Sequence, residues 1–193
     1  MIKSKLMRLF PTLVYDVECP ELIDDVLLEF DKANWRDSDC NINDSNFTLN
    51  KNKKLTKKFN DIVNDVLKDH QYQVPLKMST SWFTRVKPNT SGKNHYHVNS
   101  FYSGIFYFQD DCSKLVLEKE NPQIYVPFCT ADFGLISSGN IGFSAKMGHM
   151  LLIPGNIRHY IKENMTNHDR HSLAMNFMPS GFCDFQDSSY NYR

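Results

Sequence analysis

Apolar and polar positions along this chain follow two different periods, and the change falls near Leu76. Upstream of it, apolar residues recur at helical spacing. Pro20 suits a first helical turn, and Leu22, Ile23, Val26, Leu27 and Phe30 follow on one helix face. A second helix is predicted from about Lys53 to Asp69, with Leu55, Phe59, Ile62, Val63, Val66 and Leu67 as its apolar face. Lys51, Lys53, Lys54, Lys57 and Lys58 flank its start and read as a solvated face rather than a phosphate-binding patch. The Asn- and Ser-rich segment Asn41–Asn52 between the two helices reads as a loop.

From Leu76 onward the period is two. Met78, Thr80, Trp82, Thr84 and Val86 are expected on one face of a strand, and Ser79, Ser81, Phe83 and Arg85 on the other. Further short strands are predicted at His95–Asn99, Ser103–Gln109, Lys114–Lys119, Phe133–Ser137, His149–Ile153, Ile157–Lys162 and Arg170–Met178. Turn signals separate them at Ser91-Gly92, Asp110-Asp111, Asn121-Pro122, Ser138-Gly139-Asn140, Pro154-Gly155-Asn156 and Asn167. The segment Pro122–Gly148 reads as barrel strand and hairpin rather than as a lid. Many short strands with such turns predict a mainly β fold, a sandwich or jelly roll, with the N-terminal helices packed on one outer face. The chain is expected to form a single domain over residues 1–193: a helical part over 1–75, a jelly-roll core over 76–179 and a partly ordered tail over 180–193.

Composition narrows the partners. Lys+Arg and Asp+Glu are both 22, so no general electrostatic grip on nucleic acid is expected. The five cysteines, Cys19, Cys40, Cys112, Cys129 and Cys183, are odd in number and include no C-x-x-C pair, which suits reduced thiols in a cytoplasmic setting. There is no apolar run of membrane-spanning length and no signal-peptide core in Met1–Pro20. The expectation is a soluble protein of the cytoplasm, with no membrane partner.

The candidate chemistry lies in His95-x-His97, His159 and Arg170-x-Ser172. Residues two apart on a strand point to the same face, so each pair can look into one cavity. Neutral imidazole is the commonest metal ligand, and arginine suits bidentate capture of a carboxylate. The set reads as a metal site beside a carboxylate site. Any one of these histidines alone would read as an ordinary half-buried histidine. His70, His149, His168 and His171 are given that plain reading. Asn176 shares the inward face of Arg170 and Ser172 without an assigned role. Trp82, Arg85 and Arg158 read as a structural tryptophan and two surface arginines rather than as parts of a substrate entrance.

Five elements in order carry a family resemblance: His95-x-His97, then Ser103-Gly104-Ile105-Phe106-Tyr107, then Gly148-His149-Met150-Leu151-Leu152-Ile153-Pro154, then His159, then the strand Arg170-His171-Ser172-Leu173-Ala174-Met175-Asn176-Phe177. Over about Trp82–Met178 the chain resembles the 2-oxoglutarate/Fe(II)-dependent dioxygenases, in detail the small ones of bacteria and marine phages. The resemblance implies a double-stranded β-helix fold and Fe(II) at His95 and His159. It implies 2-oxoglutarate held at its distal carboxylate by Arg170, with Ser172 and Tyr107 adding hydroxyl hydrogen bonds. O2, a small-molecule or peptide substrate, and release of succinate and CO2 complete the implied reaction, with the host cytoplasm as its place if the gene is a phage's. The chain departs from the family's H-x-D pattern, because His97 stands at the carboxylate position. His97 ligates in a three-histidine site, or it stands behind an open position, or the motif shifts to His97-x-Asn99. An open position leaves halogenation beside hydroxylation. Two other readings are a non-catalytic jelly-roll metal- or ligand-binding module and a three-histidine dioxygenase that does without 2-oxoglutarate. Neither gives Arg170 a task.

Overall fold

The computed structural model describes residues 12–36, 42–110, 113–118, 139–184 and 187–192. The predicted strand Phe133–Ser137 and the turn at Asn121-Pro122 lie outside them, as does most of Pro122–Gly148. Strand β1 is Tyr15–Glu18. A single 3-10 turn, Pro20–Leu22, leads into helix α1, Ile23–Phe30. Helix α2, Lys53–Val66, starts at Asn52, whose side chain accepts the Leu55 amide; a further 3-10 turn spans Lys68–His70. Then come β2 (Leu76–Val86), β3 (Tyr102–Phe106), β4 (Leu115–Glu118), β5 (Asn140–Phe143), β6 (His149–Pro154), β7 (Arg158–Ile161) and β8 (Arg170–Pro179). The tail pairs as a hairpin of β9 (Gly181–Cys183) and β10 (Tyr190–Tyr192). No helix among the described residues is long and apolar enough to cross a membrane.

All the sheets are antiparallel. Five strands pair in the order β1-β6-β3-β8-β2, and three in the order β5-β4-β7. The two sheets face each other as a double-stranded β-helix, a jelly roll, with Leu115 and Leu117 of the small sheet against Ile105, Leu151 and Ile153 of the large one. The outer face of the large sheet packs on the helices. There Phe59, Val63, Phe83, Phe106, Met150 and Phe177 are fully buried in one cluster. Each such side chain contributes about 1.5–3 kcal/mol relative to leaving it in water.

The structure departs from the expected pattern, or adds to it, in four places. Met78 does not share a face with Trp82. A bulge between Met78 and Thr80 inserts Ser79, which has no residue opposite it in the register with β8. Met78 therefore joins the helix-side core, while Thr84 and Val86 face the space between the sheets beside Trp82. His95–Asn99 is not a strand: only His95 pairs, in an isolated bridge to His159, and Asn99 adopts a left-handed conformation at φ 57°. The loop Asn41–Asn52 is structural where described. Asn43 and Thr48 bond the β2 backbone at Phe83 and Ser81, and Asn60 and Asn64 of α2 bond it at Met78 and Leu76. These contacts cover the outer edge of β2, which would otherwise present unpaired backbone groups. Turn-prone Ser138-Gly139-Asn140 hides the start of β5 at Asn140.

Candidate functional site

A cavity of about 280 Å³ opens between the two sheets. Its walls include His95, His97 and His159 at one end and Arg170 and Ser172 at the other, with Ile105, Leu115, Ile161 and Ala174 between. Arg170, Ser172, Ala174 and Asn176 alternate along β8 toward this side, while Leu173, Met175 and Phe177 fill the helix-side core.

The histidine end is assembled by backbone pairing. His95 N–H donates to the His159 carbonyl at 3.0 Å and His159 N–H to the His95 carbonyl at 2.8 Å, which sets both side chains beside each other. His97 N–H donates to the Gly155 carbonyl, and Gly155 N–H to the Phe101 carbonyl, so the loop is stitched to the β6–β7 turn. The three imidazoles offer one nitrogen each within 4.8 Å of one another, and the Nε2 atoms of His95 and His97 are 3.1 Å apart.

Every imidazole is oriented from behind. His95 Nδ1 lies 2.8 Å from the Lys93 carbonyl, and His159 Nδ1 lies 2.8 Å from the Ile157 carbonyl. A carbonyl only accepts, so both Nδ1 atoms carry the hydrogen and both Nε2 lone pairs face the cluster. His97 Nδ1 lies 2.6 Å from Asn176 Oδ1 and 2.8 Å from Ser103 Oγ. Burial pushes the pKa of His97 and of His159 down to about 4, so both stay neutral and able to ligate at neutral pH.

The arginine end is charged and buried. Arg170 is 1% exposed. Its Nη1 donates to Ser172 Oγ at 3.0 Å, and Ser172 Oγ lies 2.6 Å from Thr84 Oγ1. Its guanidinium sits 5.5 Å from the centre of the Tyr107 ring. Nε and Nη2 are buried without a hydrogen-bond partner, and no carboxylate among the described residues pairs with the side chain. Burying a lone guanidinium costs several kcal/mol, so this donor pair suits an anion entering the cavity.

A family model described as “Putative 2OG-Fe(II) oxygenase” matches residues 80–176, half of the 193-residue chain. The chain belongs to this 2OG-Fe(II) oxygenase family. It is accordingly an oxidoreductase that uses Fe(II), 2-oxoglutarate and O2. No curated protein sequence matches it. Solved structures of low sequence identity share its fold, among them the following three. HygX from Streptomyces hygroscopicus, crystallised with nickel and 2-oxoglutarate, is 11% identical with a TM-score of 0.60, covering 91% of this chain and 86% of its own. A Pseudomonas putida prolyl-4-hydroxylase is 9% identical with a TM-score of 0.57, over 88% and 94%. The carbocyclase SnoK from nogalamycin biosynthesis is 9% identical with a TM-score of 0.64, over 88% and 81%.

The residues present fit the oxygenase cofactors. Three convergent imidazole nitrogens suit Fe(II), and the two unpaired nitrogens of a buried guanidinium, Nε and Nη2, suit a carboxylate. The cavity thus joins five of the residues singled out in the sequence. The sixth, Tyr107, is buried beneath Arg170 and touches it through its ring rather than lining the cavity. Asn99 lines a separate surface cavity with Phe101 and Tyr192, so the shifted frame His97-x-Asn99 does not meet the histidine cluster. Trp82 lines the site, its ring 5.4 Å from that of His97. Arg85 stacks over Trp35 and Arg158 over Tyr96. Lys93 and Ser103 carry tasks that the sequence alone did not assign, and Asn176, placed on the inward face by its spacing, gains one. The same-face spacing of Asn176 with Arg170 was the available signal.

Proposed function

We propose that His95, His97 and His159 hold Fe(II), that Arg170 holds the distal carboxylate of 2-oxoglutarate, and that the enzyme hydroxylates a small molecule or an amino-acid side chain of a peptide. The observation that carries this reading is Arg170: a buried guanidinium with two free donors, in the same cavity as three convergent imidazoles. Bound Fe(II) and 2-oxoglutarate supply the oxidising chemistry, in which O2 converts the cosubstrate to succinate and CO2 and delivers one oxygen atom to the substrate.

The remaining work falls to the chain. Backbone carbonyls keep the His95 and His159 lone pairs aimed inward. Ser172 and Thr84 hold the guanidinium in register, and the Tyr107 ring supports its face. Ile105, Leu115 and Ile161 exclude water from the space between the two ends. His95, Lys93 and Tyr96 are exposed and form the rim by which a substrate enters. A cavity of about 280 Å³ lies at the small end of ligand sites, so a cosubstrate leaves room only for a protruding group of the substrate.

The test is oxygen consumption by the Fe(II)-loaded protein with 2-oxoglutarate, across a panel of amino acids and proline-containing peptides. Stoichiometric succinate with a hydroxylated product is the expected result. An O2 uptake unchanged by omitting 2-oxoglutarate would overturn the reading.

A further inference from the structure

The two outer imidazoles take their orientation from main-chain carbonyls, and His97 takes its orientation from side chains alone. Asn176, 8% exposed on β8, sets Oδ1 2.6 Å from His97 Nδ1 and donates from Nδ2 to Thr80 Oγ1 at 3.0 Å. Ser103, fully buried on β3, donates from Oγ to Asn176 Oδ1 at 3.0 Å and lies 2.8 Å from His97 Nδ1. Ser100 Oγ donates to the Tyr102 carbonyl at 2.8 Å and stands 3.0 Å from Ser103 Oγ.

The donors can be counted through this network. The Asn176 amide spends its N–H on Thr80, which leaves its oxygen facing His97. The Ser103 hydrogen goes to that same oxygen, which leaves the Ser103 lone pairs facing His97. Both neighbours of Nδ1 are then acceptors, so Nδ1 carries the hydrogen. The Nε2 lone pair points to the cluster, 3.1 Å from Nε2 of His95. We propose that Asn176 and Ser103 are a positioning pair that fixes this tautomer of His97 and makes it the third metal ligand. This rests on the metal site described under Proposed function, and it decides between a ligating His97 and one standing behind an open position. A polar pair buried in the sheet has a clear task in this arrangement. Without it, Asn176 and Ser103 would be two desolvated polar groups where apolar side chains would pack.

The experiment is two-bond 1H–15N correlation NMR of the histidine side chains, with and without one equivalent of Zn(II). Zinc serves as the diamagnetic probe. Before metal, His97 should show its hydrogen on Nδ1. With zinc, the Nε2 resonances of His95, His97 and His159 should all shift. Asn176→Leu removes the acceptor and should weaken zinc about 10- to 100-fold and mix the His97 tautomers. Asn176→Asp keeps an oxygen at the same place and should restore both the tautomer and the affinity, which a merely space-filling role would not do. A hydrogen on Nε2 of His97 overturns the proposal. So does a His97 spectrum indifferent to zinc while His95 and His159 respond, a result that leaves the metal site itself standing. Zinc shifting none of the three histidines would sink the site along with the proposal. Unchanged tautomer and affinity in Asn176→Leu also overturn it. Should Asn176→Leu fail to fold, the wild-type spectra and Asn176→Asp decide alone.

Discussion

The two ends of the cavity differ in how completely the protein satisfies them. At the histidine end every Nδ1 has an oxygen behind it and the backbone of His95 and His159 is paired in both directions. At the arginine end Ser172 takes one donor of Arg170, and two others are buried without a partner. One end is prearranged by the fold; the other is completed by what binds there. The difference teaches that metal binding and cosubstrate binding should be separable by mutation. Each end can be broken while the other is read out.

The largest effect belongs to a ligand itself. His159→Ala should lower Fe(II) affinity by more than the roughly 10- to 100-fold attributed to outer hydrogen-bond partners. Metal content after anaerobic loading measures this, and one equivalent retained by the double variant His95→Ala, His159→Ala would remove the histidine end from the comparison. Next is Arg170→Ala. Loss of a charge-assisted bidentate pair costs about 2–4 kcal/mol, so 2-oxoglutarate binding should weaken by roughly thirty- to a thousand-fold with metal content unchanged. The charge-transfer band of the anaerobic Fe(II) complex reports it. Equal binding by Arg170→Ala would show that the clamp lies elsewhere.

A third variant attacks the histidine end from outside the ligand set. A Cβ at Gly155 would sit 2.1 Å from the Ser100 carbonyl oxygen, so Gly155→Ala must push away the loop that carries His97. Overpacking of this kind costs about 1–3 kcal/mol. The expected result is weaker metal binding together with a lower melting temperature, and a variant with unchanged metal affinity would show that the stitch to Gly155 does not position His97.

The pH response of the metal-free protein sharpens the same end. His97 and His159 have folded pKa values near 4, below the ordinary 6.5, because burial disfavours the imidazolium. Between those values the unfolded chain binds more protons than the folded one. Stability should therefore fall as pH drops from about 6.5 to about 4 and stop responding to these groups below that. Chemical denaturation at a series of pH values measures it. A flat profile over that range would mean that these rings are hydrated rather than buried.

The smallest effects lie in the support of Arg170. Ser172→Ala removes the hydroxyl that accepts from Arg170 Nη1 while leaving the guanidinium in place, and should cost about 1 kcal/mol in 2-oxoglutarate affinity. Tyr107→Phe keeps the ring that faces the guanidinium and should change less than that. A loss in Tyr107→Phe as large as that in Arg170→Ala would assign the phenol a direct contact with the cosubstrate.

Much of the fold was legible because its signals are local. The apolar face of α2 and the alternation of β8 both follow from side-chain direction alone. The bulge at Ser79 was not legible, since one inserted residue leaves the alternation of β2 intact on either side and only the partner strand reveals the slip. Nor was the loop nature of His95–Asn99. His95-x-His97 mimics strand spacing, while its geometry is imposed by the distant partners His159 and Gly155. At the site, residue chemistry brought the histidines, Arg170 and Ser172 to attention. The task of Asn176 depended on knowing that β3 and β2 bring Ser103 and Thr80 to its two ends.

The carbonyls of Lys93 and Ile157 have a consequence for how such a site can evolve. They belong to the main chain, which no substitution deletes, so the aim of His95 and His159 survives drift in the side chains around them. The aim of His97 is written in Asn176 and Ser103, and single-nucleotide changes can rewrite both. Variation among descendants of this chain should therefore concentrate on one ligand position out of three, the one where His97 stands in place of a carboxylate.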